Sequence, residues 1–74
     1  MEFAMSERLI RVNGESEPLV APTIEMLLAD KAVDTAQRGI AVALNGAVVP
    51  RAAWGDTKLK AGDRVEIVRA RQGG

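Results

Sequence analysis

Neither cysteine nor histidine occurs in this 74-residue sequence, and that double absence constrains the fold more than any residue present. A domain of this size hides only about 60% of the surface that its unfolded chain exposes. Small domains often offset the shortfall with disulfides or bound metals, and this chain has no thiol for the first and only carboxylates for the second. Its stability must come from an aliphatic core, which the 47% apolar content can supply. The two aromatics, Phe3 and Trp54, are expected to add little to it. The lack of thiols fits a reducing compartment. No apolar run approaches the roughly 20 residues of a membrane span, and no signal-peptide pattern opens the chain. A soluble, cytoplasmic protein, monomeric when free, is expected.

Residues 1–7 show no periodicity and read as a disordered leader. Met5 is a plausible native start, with Met1-Glu2-Phe3-Ala4 an added segment. From Arg8 to Val12 the residues alternate, with Ile10 and Val12 on one face. Asn13-Gly14 follows, the commonest two-residue hairpin turn because both residues tolerate positive φ. Glu15 to Val20 reads as the returning strand, which Pro18 confines to an edge. After Ala21-Pro22, Thr23 is a helix N-cap. Ile24, Leu27, Leu28 and Ala32 fall on one helical face, and the helix should end between Asp30 and Ala36.

Ile40 to Leu44 is a continuous apolar run, expected of a strand buried on both faces. Asn45-Gly46 gives a second hairpin turn into Ala47-Val48-Val49, which Pro50 terminates. Arg51 to Lys60 looks irregular, with Trp54 a core or lid residue in preference to a binding anchor. A turn at Ala61-Gly62-Asp63 precedes the last strand, Arg64 to Ala70, whose Val65 and Ile67 should face the helix. The order β-β-α-β-(short β)-β is an α+β arrangement.

Formal charge is zero but unevenly spread. Residues 1–37 carry seven acids and three bases, net −4, and residues 38–74 carry three acids and seven bases, net +4. The basic half either steers its end toward an acidic or phosphate-bearing partner or is ordinary solvated surface. Nucleic acid is not the expected partner, because the basic residues lack interleaved aromatics and no binding motif appears. The chain ends on Gly73-Gly74, a pair that chance alone supplies in roughly 0.5% of sequences. The pair needs support from what precedes it.

That support is a resemblance carried by three segments. They are Val12-Asn13-Gly14-Glu15, then Val42 to Arg51 (VALNGAVVPR) with Trp54, and Gly62 to Val68 (GDRVEIV) leading to Gln72-Gly73-Gly74. Together these resemble the thiamine-biosynthesis sulfur carrier family, over about Arg8 to Gly74. The resemblance implies a ubiquitin-like β-grasp fold: a mixed sheet of four to five strands with one main helix packed across it. It divides the chain into the leader 1–7, a β-grasp domain 8–70 and a flexible tail 71–74.

What the resemblance implies for function centres on Gly74. Its carboxylate would be adenylated by a ubiquitin-activating-like adenylyltransferase using ATP. It would then become a thiocarboxylate with sulfur from a cysteine desulfurase system, for donation to a thiazole synthase. The carrier itself would bind no cofactor or metal and would have no catalytic residue. Gly73, Gln72 and Arg71 would give the tail access to a partner's channel, where Gln72 could hydrogen-bond. Val68, Arg69 and Ala70 form a possible partner surface. Arg69 and Arg71 serve either guidance or solubility, and Val68 is either a docking contact or an isolated surface valine. Three alternatives stand beside this: a carrier of the molybdopterin synthase small-subunit type, a ubiquitin-like modifier conjugated to lysines, and a plain β-grasp interaction module with no tail chemistry. An enzyme is disfavoured, since Ser6, Ser16, Thr23, Thr35 and Thr57 have no histidine to activate them.

Overall fold

A computed structural model describes residues 8–36 and 38–69. The leader 1–7 and positions 70–74 lie outside the described residues, and with them the expected domain limits at both ends.

The alternating segment forms β1 (Leu9–Val12), which returns through Asn13-Gly14 into β2 (Glu15–Pro18). Both turn residues are left-handed, with φ of 52° and 88°, so an Asn-Gly pair meets here the demand that a type I′ turn makes. β2 stops at Pro18, short of the expected Val20, and lies at the sheet edge where a missing N–H is harmless. α1 (Ile24–Asp30) starts as anticipated, with the Thr23 hydroxyl accepting from the Met26 N–H at 3.2 Å.

The end of α1 corrects one expectation. Ala32 does not share the buried face; it is exposed, with φ of 61°. Its N–H donates to Ala29 O at 3.0 Å and that of Val33 to Leu28 O at 2.9 Å, the two bonds of a Schellman stop. The helix closes before Ala32, and Val33, beyond the stop, is the residue that joins the buried core.

β3 (Ile40–Leu44) and β4 (Ala47–Val49) make the second hairpin around Asn45-Gly46, and β5 (Arg64–Arg69) closes the fold. Between them the segment read as irregular contains a 3₁₀ turn, Arg51–Ala53. The sheet order is β2-β1-β5-β3-β4, with β5 parallel to β1 and antiparallel to β3. This is the expected mixed sheet with one helix across it.

The core gathers Ile10 and Val12 of β1, Val42 of β3 and Val65 of β5 against Ile24, Leu27 and Leu28 of α1. Each fully buried branched side chain contributes about 1.5–3 kcal/mol. β3 is not buried on both faces: Val42 is buried, whereas Ala41 is exposed. A single helix covers one face of the sheet and small alanines serve the other. Trp54 also departs from its expected minor share, being only 3% exposed within the core.

Candidate functional site

The strand nearest the terminal Gly73-Gly74 is β5, the central strand, which runs to Arg69, five positions before Gly74. Two hairpin asparagines fix it from opposite sides. β1 pairs with β5 only at Arg11↔Arg64 and Val12↔Val65 before turning away. There the Asn13 N–H donates to Val65 O at 2.9 Å. The Asn13 side chain then takes over the work of a strand. Its Oδ1 accepts from the Ile67 N–H at 2.8 Å and its Nδ2 donates to Ile67 O at 3.3 Å. On the other flank β3 pairs as far as Ile40↔Arg69.

Asn45 does the same at the strand's start. Its N–H donates to Arg64 O at 2.7 Å and its Oδ1 accepts from the Arg64 N–H at 2.8 Å. Its Nδ2 donates to Asp63 Oδ1 at 3.0 Å. Asp63 is 5% exposed, and its Oδ2 accepts from the Lys60 N–H at 2.9 Å. Both carboxylate oxygens are therefore engaged, as a buried acid requires. Strand β5 is held at its start and again at Ile67 by side chains that the sequence presented only as turn formers.

Val68 is 59% exposed, in keeping with its break in the alternation. It is not isolated. Its register partner is Ala41, and Ala43 and the exposed Val48 pair in the adjoining row of the same open face. Arg69 is exposed beside Ile40. Ala70, Arg71, Gln72, Gly73 and Gly74 lie outside the described residues, so the structure brings only Val68 and Arg69 of the predicted site onto one strand end.

Trp54 takes the core role. Its Nε1–H donates to Val49 O at 3.0 Å, and the Arg51 guanidinium sits 4.7 Å from the ring centroid. Arg51 also donates to Thr35 O. Two of the hydroxyls are committed to structure too: Thr23 caps α1 and Thr57 donates to Ala53 O at 2.7 Å. Among the described residues no three acidic side chains gather as a metal site, and no helix is long and apolar enough to cross a membrane.

A small five-stranded mixed sheet whose middle strand leads to a terminal Gly-Gly is matched by the ThiS family model over residues 8–74. The chain belongs to the ThiS family. Among solved structures it is similar to the crystal structure of the thiamine biosynthesis protein ThiS from Geobacter metallireducens. The two share 32% identity, covering 89% of this chain and 99% of that one, at a TM-score of 0.73. The solution structure of a thiamine biosynthesis protein from the same organism gives 32% identity over 89% and 87% of the chains, at a TM-score of 0.72. No curated protein matches the chain. Membership of the ThiS family agrees with the resemblance to thiamine-biosynthesis sulfur carriers and with the β-grasp expectation.

Proposed function

We propose that this ThiS-family protein carries sulfur for thiazole formation on the carboxylate of Gly74. The observation that supports it is the extent of the family match, which continues from the folded domain through Gly74. A carboxylate is a poor electrophile, because its charge repels nucleophiles and oxide is a bad leaving group. An adenylating partner removes both obstacles: a carboxylate oxygen attacks the α-phosphorus of ATP, pyrophosphate leaves, and an acyl adenylate remains. Persulfide sulfur from a cysteine desulfurase system attacks the acyl carbon and AMP departs. A thiol then cleaves the resulting S–S bond, itself ending in a disulfide, and leaves the thiocarboxylate.

The residues suit a co-substrate acted on by partner enzymes. Gly73 and Gly74 carry no Cβ to obstruct the approach of a nucleophile. Gln72 and Arg71 line the part of the tail that enters the partner's channel, and Val68, Arg69 and Ala70 meet its rim. The test is the intact mass of the protein after incubation with its adenylating enzyme, ATP and a sulfur donor. Replacement of one oxygen by sulfur supports the reading. Lysine-linked adducts in cell extracts would instead favour a modifier, and capture of a molybdopterin synthase large subunit would favour that pathway.

A further inference from the structure

Two arginines stand side by side on the open face of the sheet. Arg11 of β1 and Arg64 of β5 are register partners on parallel strands, and both are exposed on the side away from α1. Side chains at such positions share a face and lie within reach of each other. Among the described residues no ion pair or side-chain hydrogen bond engages either guanidinium. Glu66 lies two positions along the same face. Like charges so placed repel and weaken the sheet, and Glu66, the carboxylate that borders the pair, makes no ion pair with either guanidinium.

The surroundings leave room for something that would offset the repulsion. Arg11 and Arg64 together line two shallow depressions. One, of about 240 Å³, is bounded also by Leu9, Ser16 and Gly62. The other, of about 160 Å³, is bounded by Gly14 and Glu66. Gly62 and Gly14 have φ of 89° and 88°, and a Cβ at either would meet nothing within 4 Å, so the rims are low and open. Leu9, 46% exposed, adds an apolar shoulder. Planar guanidinium forks bind carboxylates two bonds at a time.

We propose that Arg11 and Arg64 form a docking site for a pair of carboxylates on the surface of the enzyme that adenylates Gly74. This rests on the reading of Gly74 above. The adenylating enzyme is the favoured partner for a physical reason. It must select this carrier while the tail is still unmodified, so recognition falls to the folded surface, whereas a later sulfur acceptor can also recognise the sulfur. The site works by charge complementarity, which governs encounter and salt dependence.

The test combines binding, loading and stability for Arg11→Gln and Arg64→Gln, with Arg→Lys at each position and Lys58→Gln as a distant charge control. Calorimetric titration of the unmodified carrier into the adenylating enzyme without ATP reads the surface even if no sulfur is transferred. Each Gln variant is expected to bind roughly two- to fivefold more weakly and to lose part of the wild-type salt dependence. In loading assays the KM for carrier rises likewise while the rate at saturation holds. The free Gln variants melt about 1–4 °C higher, because the repulsion is gone. Lysine restores most of the affinity, and Lys58→Gln changes nothing. Unchanged affinity and salt dependence in both Gln variants would overturn the docking site, as would a loss of affinity accompanied by a lowered Tm. A wild-type carrier that binds through these arginines yet gains no sulfur would overturn the reading of Gly74 and leave the docking site standing.

Discussion

Asn13 grips Ile67 through both ends of its side-chain amide, accepting from the N–H at 2.8 Å and donating to the carbonyl at 3.3 Å. One residue thus turns the first hairpin and extends the sheet along β5 after β1 has left it. The grip falls two residues before Arg69, where the described part of the chain's last strand ends. Asn13→Gly keeps the left-handed turn and removes both bonds. It should cost about 1–2 kcal/mol and speed hydrogen exchange at the Ile67 amide. An unchanged urea midpoint and unchanged exchange would contradict the role given to the side chain.

The partner grip at the start of β5 depends on a buried acid. Asp63→Ala leaves the Lys60 N–H and the Asn45 amide without their acceptors. Donors stranded in this way should lower stability by about 2–3 kcal/mol in total. A domain of this size has only some 4–11 kcal/mol to lose. Chemical denaturation monitored by Trp54 fluorescence measures the change, and a loss under about 0.5 kcal/mol would show that the carboxylate is dispensable.

Ala32 offers the opposite prediction. It occupies the left-handed position of a helix stop, where a Cβ is unfavourable, with φ of 61°. Ala32→Gly should therefore stabilise the protein by about 0.5–1 kcal/mol, visible as a higher thermal midpoint. A lower midpoint would mean that the alanine methyl makes contacts worth more than the backbone strain.

Core packing sets the scale for these effects. Leu28 is fully buried under the sheet, and Leu28→Ala should cost about 2–5 kcal/mol, which lowers the thermal midpoint and raises the fraction unfolded at 37 °C. The fraction unfolded, read from circular dichroism, checks this directly.

The hairpins, the Thr23 cap, the helix face through Ile24, Leu27 and Leu28, and the inward Val65 and Ile67 were all legible in the sequence. Each is a local signal: a turn pair that needs positive φ, an oxygen before an apolar period, or an alternation of two. What escaped is relational. Ala32 sits at helical spacing from Leu28, yet a stop that buries Val33 removes it from the face. Ile40 to Leu44 looks doubly buried, because an apolar run does not reveal that one helix covers only one side. Nothing local in Asn13 or Asn45 announces that its amide reaches a strand residue 54 or 19 positions away. The adjacency of Arg11 and Arg64 exists only once β1 and β5 pair. For the site itself, the Gly-Gly end was readable as a motif, and its meaning came from the family pattern preceding it.

The central claim is that sulfur is carried on Gly74, and intact-mass measurement of the loaded protein tests it most directly. With the adenylating enzyme, ATP and a sulfur donor, the account predicts replacement of one oxygen by one sulfur, mapped by fragmentation to Gly74 and lost when Gly74 is deleted from an otherwise folded chain. No such exchange in the wild type, or an exchange that survives the deletion, would contradict it.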